Sequence, residues 1–384
     1  MRSSASVFVV MLLVAACVQA TSEELSPGEL PKVDTVEAGL WMHMDRLEDQ
    51  IKSSGRLVLD SELDSYVQTI VCDIEPEHCN HIRLYIVDNP YFNATMSPNG
   101  MMQIWTGLIL RAESRSQLAY VIAHELSHYI KRHSLQRWID IQNKANASTV
   151  FSLLTSAAGV GYAGYAVQLA ALASILSFSR DQEREADMYA STLLLEAGYD
   201  LADAIELWES LAAEKKASAE SQKQLFLSTH PGLDERIDML KRIAGDPSRH
   251  ESFGTSRLRE LKSSHQDEWL GDELTRGELG ESEVLFRRLR LNDLDNAILY
   301  FYTGELLRKR GDAGDYDRAV EFYLTALAKP DPPPKVHRSL GQLYIRLGQN
   351  KNAIAALNRY LTMLPEAPDR DIVKFQIEKL RVQK

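Results

Sequence analysis

Residues 124–128 read His-Glu-Leu-Ser-His. On a helix the two histidines, four residues apart, project from one face, so two imidazoles can reach one metal ion. Glu125 sits about 100° round the same helix, where its carboxylate can take a proton from metal-bound water without binding the metal. Catalytic zinc takes three protein ligands and keeps one position open for water. The chain offers the third ligand downstream, in Glu183-Arg184-Glu185-Ala186-Asp187. Glu183 as ligand leaves Asp187, one turn later, as the carboxylate that receives the second N–H of a ligating imidazole. Glu185 is the rival ligand and points to a different helix face from Asp187.

Two further residues fit the same chemistry. His230 can stabilise the oxyanion of a tetrahedral intermediate, or occupy the open zinc position and hold the centre latent. Arg236 can share the oxyanion role. His133, in Lys131-Arg132-His133, reads as a solvated helix end rather than a ligand.

The elements that must position these groups follow from periodicity. Val36 to Lys52 reads as an amphipathic helix with Leu40, Met44 and Leu47 on one face. Ser61 to Val71 reads as another, capped by Asp60 or Ser61. Ile82 to Val87 has strand propensity, Pro90 to Pro98 reads as loop, and Met101 to Trp105 as a second strand after the Asn99-Gly100 turn. That second strand is either an exposed edge that an extended peptide can join or an ordinary buried strand. Ser114 or Ser116 caps the helix carrying both histidines, with Leu118, Ile122, Leu126 and Tyr129 turned to the core. Residues 145–179 contain no Asp, Glu, Lys or Arg. Glycines interrupt that stretch, which reads as two buried or cleft-covering helices in preference to a membrane-embedded hairpin. Arg180 to Glu196 is helical, and Asp200 to Ala244 is helical with a break at Ser228 to Pro231.

The 384 residues are 45% hydrophobic and 25% charged, a globular composition long enough for two domains. A net charge of -11 excludes general nucleic-acid binding. The apolar run Val7 to Val14, preceded by one Arg, reads as an export signal within residues 1–20. Cleavage falls after Ala20 or, in a lipobox-like reading, before Cys17, which would then be lipidated. Cys72 and Cys79 are placed to close a small disulfide loop in an oxidising compartment, or are two buried thiols. Residues 21–35 read as linker and 36–250 as the metal-binding domain. Within 257–384, Leu340, Gly341, Tyr344, Ala353, Leu357 and Pro365 fall at the spacing of a tetratricopeptide helix pair. Gly304, Ala319, Tyr323 and Ala326 echo it, with extra residues in the turn at Asp312 to Asp315. A fainter pair lies between Asp267 and Leu289.

Five segments together resemble the HtpX and CAAX-prenyl-protease lineage of zinc metallopeptidases. They are Asn93-Ala94 with Pro98-Asn99-Gly100; Thr106-Gly107-Leu108; His124 to His128; Ser179-Arg180-x-x-Glu183-x-x-Ala186-Asp187; and Ser228-Thr229-His230-Pro231 with Arg236. The export signal and repeat tail make the chain most similar to the BepA-like periplasmic branch. The resemblance implies a mainly α gluzincin-type domain with a small β-sheet, followed by an α-helical tetratricopeptide domain. It implies one Zn2+ per chain on His124, His128 and Glu183, with Asp187 behind them, and His230 and Arg236 at the reacting centre. The implied activity is that of an endopeptidase in the periplasm, soluble or anchored to the outer membrane as a lipoprotein and able to associate with a membrane surface. Its implied substrates are misfolded or stalled envelope proteins, and the repeats would recruit outer-membrane assembly machinery. Integral-membrane members carry several spans and this chain offers at most one ambiguous stretch, which sets prenylated-peptide cleavage aside. The rival from another class is a repeat-based assembly chaperone or adaptor whose zinc site is mainly structural. The intact Glu125 argues against it, because a structural site has no use for a base.

Overall fold

A computed structural model of the protein describes residues 25–144, 177–218, 225–245 and 255–382. The expected export signal with Cys17, most of the uncharged stretch at 145–179 and most of the 245–256 linker lie outside the described residues. Among those described, no helix is long and apolar enough to cross a membrane.

Helix α1 (Val36–Ser53) starts where the Thr35 side chain accepts from the Ala38 N–H, and it buries Leu40, Met44, Leu47 and Ile51. This i, i+4, i+7, i+11 stripe packs on the back of the sheet, with Val87, Met101, Trp105, Leu135 and Trp138. Helix α2 (Ser61–Ile74) is capped by Asp60, which accepts from the Glu62 and Leu63 N–H groups. Its Cys72 faces Cys79 with Cα atoms 4.8 Å apart, within the span of a disulfide.

The sheet has three strands in the order β1 (Arg83–Val87), β3 (Met101–Trp105), β2 (Ala94–Met96). β1 runs parallel to β3 and β2 antiparallel to it. One expectation changes here, and one pair of alternatives is decided. The 90–98 segment is not all loop, since it contains β2. β3 is not an edge: it is central, and all five of its residues are buried. A strand covered on both faces reads as a continuous apolar run, and Met101 to Trp105 is one apart from Gln103. The Asn99-Gly100 turn does close the β2–β3 hairpin, with Gly100 in the left-handed region at φ 89°.

A short helix α3 (Thr106–Arg111) leads to α4 (Arg115–Ile130), capped by Ser114, whose hydroxyl accepts from the Gln117 N–H. Every α4 residue from Ser116 to His128 is buried. The chain reverses at Arg132, a non-glycine residue at φ 56°, and enters α5 (His133–Lys144). The described chain resumes with α6 (Arg180–Glu196), opened by a Ser179–Gln182 capping box, and then α7 (Leu201–Ala217), α8 (Leu225–Thr229) and α9 (Leu233–Ala244). Helix α4 packs between α6, α7, α2 and β2.

The C-terminal helices are α10 (Thr255–Ser263), α11 (Gln266–Arg276), α12 (Leu279–Asn292), α13 (Ala297–Arg310), α14 (Asp315–Leu327), α15 (Lys335–Arg346), α16 (Asn350–Met363) and α17 (Arg370–Val382). α13 packs on α14 and α15 on α16. Gly304 and Gly341 are required at these crossings. A Cβ on Gly304 would stand 2.5 Å from the Tyr323 ring, and one on Gly341 2.6 Å from Leu357. The fainter pair is present as α11 and α12, but α12 packs on α7 of the N-terminal region.

The two regions share one core, running from Leu63 and Leu118 through Trp208 to Leu285, Phe286 and Tyr323. A buried ion network crosses the same boundary. Arg111 Nε donates to Glu214 Oε2 at 2.7 Å and its Nη2 to Glu273 Oε1 at 3.0 Å, with all three side chains almost fully enclosed. Arg276 also donates to Glu273, Arg288 pairs with Glu113, and Lys262 Nζ donates to the Ala112 carbonyl at 2.6 Å. Removing one partner of such a cluster leaves a buried charge uncompensated. Arg111→Met is expected to lower unfolding free energy by about 3–5 kcal/mol, read by denaturant titration. An unchanged midpoint would show that the cluster contributes nothing net.

Candidate metal centre

Helices α4 and α6 and the turn between α8 and α9 meet around the two motif histidines. His124 Nε2 and His128 Nε2 lie 3.2 Å apart on α4. From α6, Glu183 Oε1 stands 3.4 Å from His128 Nε2 and Glu183 Oε2 3.6 Å from His124 Nε2. His230 Nδ1 is 3.1 Å from both His124 Nε2 and Glu183 Oε1. Four donor atoms, one from each of His124, His128, Glu183 and His230, thus lie within 4.8 Å of one another, and all four residues are buried. Glu185 is excluded from the cluster: its side chain is half exposed and reaches His133 and Lys131 instead.

The donor spacing suits a tetrahedral ion. Bonds of about 2.0–2.1 Å set neighbouring donors of a tetrahedron about 3.3–3.4 Å apart. Protonation suits one too. Burial, with the Arg236 charge, lowers the His124 imidazole, and burial lowers His128 further, so both rings present lone pairs. Burial alone would raise the Glu183 carboxyl, but His230, His128 and His124 outweigh it and hold it ionised.

Neighbouring groups fix the donors. Asp187 Oδ1 stands 2.8 Å from His124 Nδ1, off the ideal hydrogen-bond line, and accepts from the Tyr120 hydroxyl at 3.1 Å. Arg236, on α9, donates through Nε to both Asp187 oxygens and through Nη2 to Glu183 Oε2 at 2.7 Å. Its guanidinium lies over the Trp208 ring, 4.6 Å from the centroid. Nε and Nη2 are thus engaged by the two α6 carboxylates, while the buried Nη1 has no hydrogen-bond partner among the described residues. Phe178 stacks on His128, and Phe226 on His230.

Glu125 lies next to the cluster and outside it. Burial pushes its carboxyl up to about 7, with His230 and Arg236 opposing and Glu183 adding to the rise. Its Oε1 makes no hydrogen bond and sits 3.5 Å from His230 Nε2. The backbone N–H of Met96, on edge strand β2, hydrogen-bonds the same carboxylate. The strand beside the reacting groups is therefore β2.

His133 departs from expectation. It is not a solvated helix end: it is 1% exposed, and its Nδ1 lies 2.9 Å from His128 Nδ1. The left-handed turn at Arg132 swings it back beneath His128, a reversal that helical periodicity does not reveal. The recurrence of a histidine five residues after His128 was the one available signal.

Residues 59–244 match the model of peptidase family M48, and residues 338–366 match a tetratricopeptide repeat. The chain is 26% identical over 361 residues to a Yersinia pestis protein named beta-barrel assembly-enhancing protease, covering 87% of this chain and 68% of that one. The Escherichia coli K12 protein of the same name is 24% identical over 364 residues, 85% of this chain and 74% of its own. A mitochondrial metalloendopeptidase OMA1 from Schizosaccharomyces pombe is 32% identical over 156 residues, 40% of this chain and 44% of its own. This chain carries a metallopeptidase domain of family M48, followed by tetratricopeptide helices.

Proposed function

We propose that the protein is a zinc-dependent endopeptidase of the bacterial cell envelope that acts on misfolded or stalled outer-membrane proteins and aids their assembly. The observation that carries the chemistry is the convergence of His124, His128 and Glu183 at tetrahedral spacing beside a carboxylate with a free oxygen. The names of the relatives that span most of the chain support the substrate class. The repeats suit docking to assembly machinery, and a Cys72–Cys79 disulfide suits an oxidising compartment such as the periplasm. Lipidation at Cys17 would add an anchor at the outer membrane.

Zinc held by His124, His128 and Glu183 would supply an acidified water and polarise the scissile carbonyl. Glu125 takes the proton from the attacking water and passes it to the leaving amine. Asp187 fixes the His124 ring, and Arg236 holds Glu183 and Asp187 in register. The outer edge of β2 can accept an extended substrate by main-chain hydrogen bonds, which ignore side-chain identity and suit unfolded chains. A cavity of about 380 Å³ next to His128 and Met96, walled by Trp41, Tyr129 and Leu135, can take a substrate side chain. His230, with Nδ1 3.1 Å from His124 Nε2 and Glu183 Oε1, would take the fourth donor place of a bound ion and hold the resting site latent until it withdraws.

Glu125→Gln is expected to lower cleavage of a denatured test protein by about 10²- to 10⁴-fold at unchanged zinc content. Equal cleavage by both proteins would remove the mechanism, and no cleavage by either or by His230→Ala after zinc loading would favour the adaptor reading. His230→Ala is expected to raise resting cleavage severalfold with zinc retained. A fall would assign His230 to the oxyanion instead.

A further inference from the structure

The two histidines of the motif are oriented by different partners. His124 turns Nδ1 toward the Asp187 carboxylate, the usual arrangement for a ligating imidazole. His128 turns Nδ1 toward another histidine, His133, at 2.9 Å. His133 Nε2 in turn faces Glu185 Oε2 at 3.4 Å.

The hydrogens along this chain are determined once Nε2 of His128 is given to the metal. Nδ1 of His128 must then carry the ring hydrogen, because a neutral imidazole has one N–H and one lone pair. It donates to His133 Nδ1, which must be the acceptor. That leaves the His133 hydrogen on Nε2, the nitrogen that faces Glu185. One assignment thus satisfies both contacts, and the opposite one satisfies neither.

Burial gives the contact its weight. His128 and His133 are each 1% exposed, so in the intact fold solvent does not compete for this contact. A buried donor left without a partner loses its hydrogen bond to water with nothing in return, which disfavours the tautomer that carries it. The backbone at Arg132 stays in the left-handed region, rare for a non-glycine residue, and its side chain is tied to Glu37 on α1. The protein thus maintains a strained turn that delivers His133 to His128.

We propose that His133 is a positioning residue for the metal, holding His128 in its ligating tautomer through a Glu185–His133–His128 chain. The proposal rests on the assignment of His128 as a ligand. It also gives Glu185 a role one step further from the metal.

The test is zinc affinity of the full chain, measured by competition with a chromophoric chelator and independent of cleavage. His133→Ala is expected to weaken zinc binding by about 10- to 100-fold. His133→Asn, whose amide oxygen can still accept from His128 Nδ1–H, is expected to recover part of the loss. Glu185→Ala, at a half-exposed side chain, is expected to weaken binding less and in the same direction. Folded His133→Ala with wild-type affinity would overturn the proposal, as would wild-type affinity in both other variants if His133→Ala does not fold. Failure of the wild-type chain to bind zinc would instead sink the metal assignment on which the proposal depends.

Discussion

The centre depends on an imbalance of buried charge. Glu125, Glu183 and Asp187 are buried carboxylates around the cluster, and among the described residues Arg236 is the buried arginine that pairs with Glu183 and Asp187. Three negative groups against one positive leave the set short of positive charge in a medium where unpaired charge is costly. The protein shows two responses. The Glu125 carboxyl is lifted to about 7, and His230, despite burial, is raised by Glu183 and Glu125. Both changes reduce the deficit, and a dication among the four donors would remove it. Arg236 is therefore the pivot on which the ligand geometry turns. It spans Glu183 and Asp187, one helical turn apart on α6, and keeps the ligand and the carboxylate behind the other ligand in one rigid group.

The rest of the domain surrounds that group. Helix α4 is buried along nearly its whole length, which a helix can sustain only when its neighbours cover every side. The main core covers one side, α6 and the His230 turn another, and β2 a third. The face of α4 that carries the two histidines therefore lies inside the domain, beside β2 and the 380 Å³ cavity that opens toward solvent.

Much of this was legible in the residues. Apolar periodicity marked α1, α2, α4 and α6 to within a few residues, because each buries one continuous stripe or is closed by a side-chain cap. Glu183 could be preferred over Glu185 because residues four apart share a helix face, and Glu183 and Asp187 do so in the fold. The small elements were not legible. β2 is three residues long between Asn93 and Ser97, too short to show alternation. α3 is six residues long and wholly buried, so it has no exposed face to set a period. The place of β3 in the sheet is set by tertiary pairing, and local pattern does not specify order. His133 was missed for a backbone reason: one left-handed residue reverses the chain and puts a side chain where a continuing helix would never carry it.

The junction with the repeats bears on how such a site could be controlled. A docking module on a loose linker would sample many orientations relative to the cleft. Here α12 packs on α7, the apolar core passes from one region into the other, and Arg111 is clamped between Glu214 and Glu273. Arg111 ends the helix that continues directly from β3, and β3 carries β2, whose Met96 amide touches Glu125. The C-terminal helices are thus packed onto α7 and onto α3, the helix that continues from β3. A protein gripped by the repeats would be presented to β2 in a fixed direction, so selection can come from reach and geometry. That division would suit the peptidase proposed above: an edge strand reading only main chain would accept any extended segment, and the repeats would decide which chains arrive there.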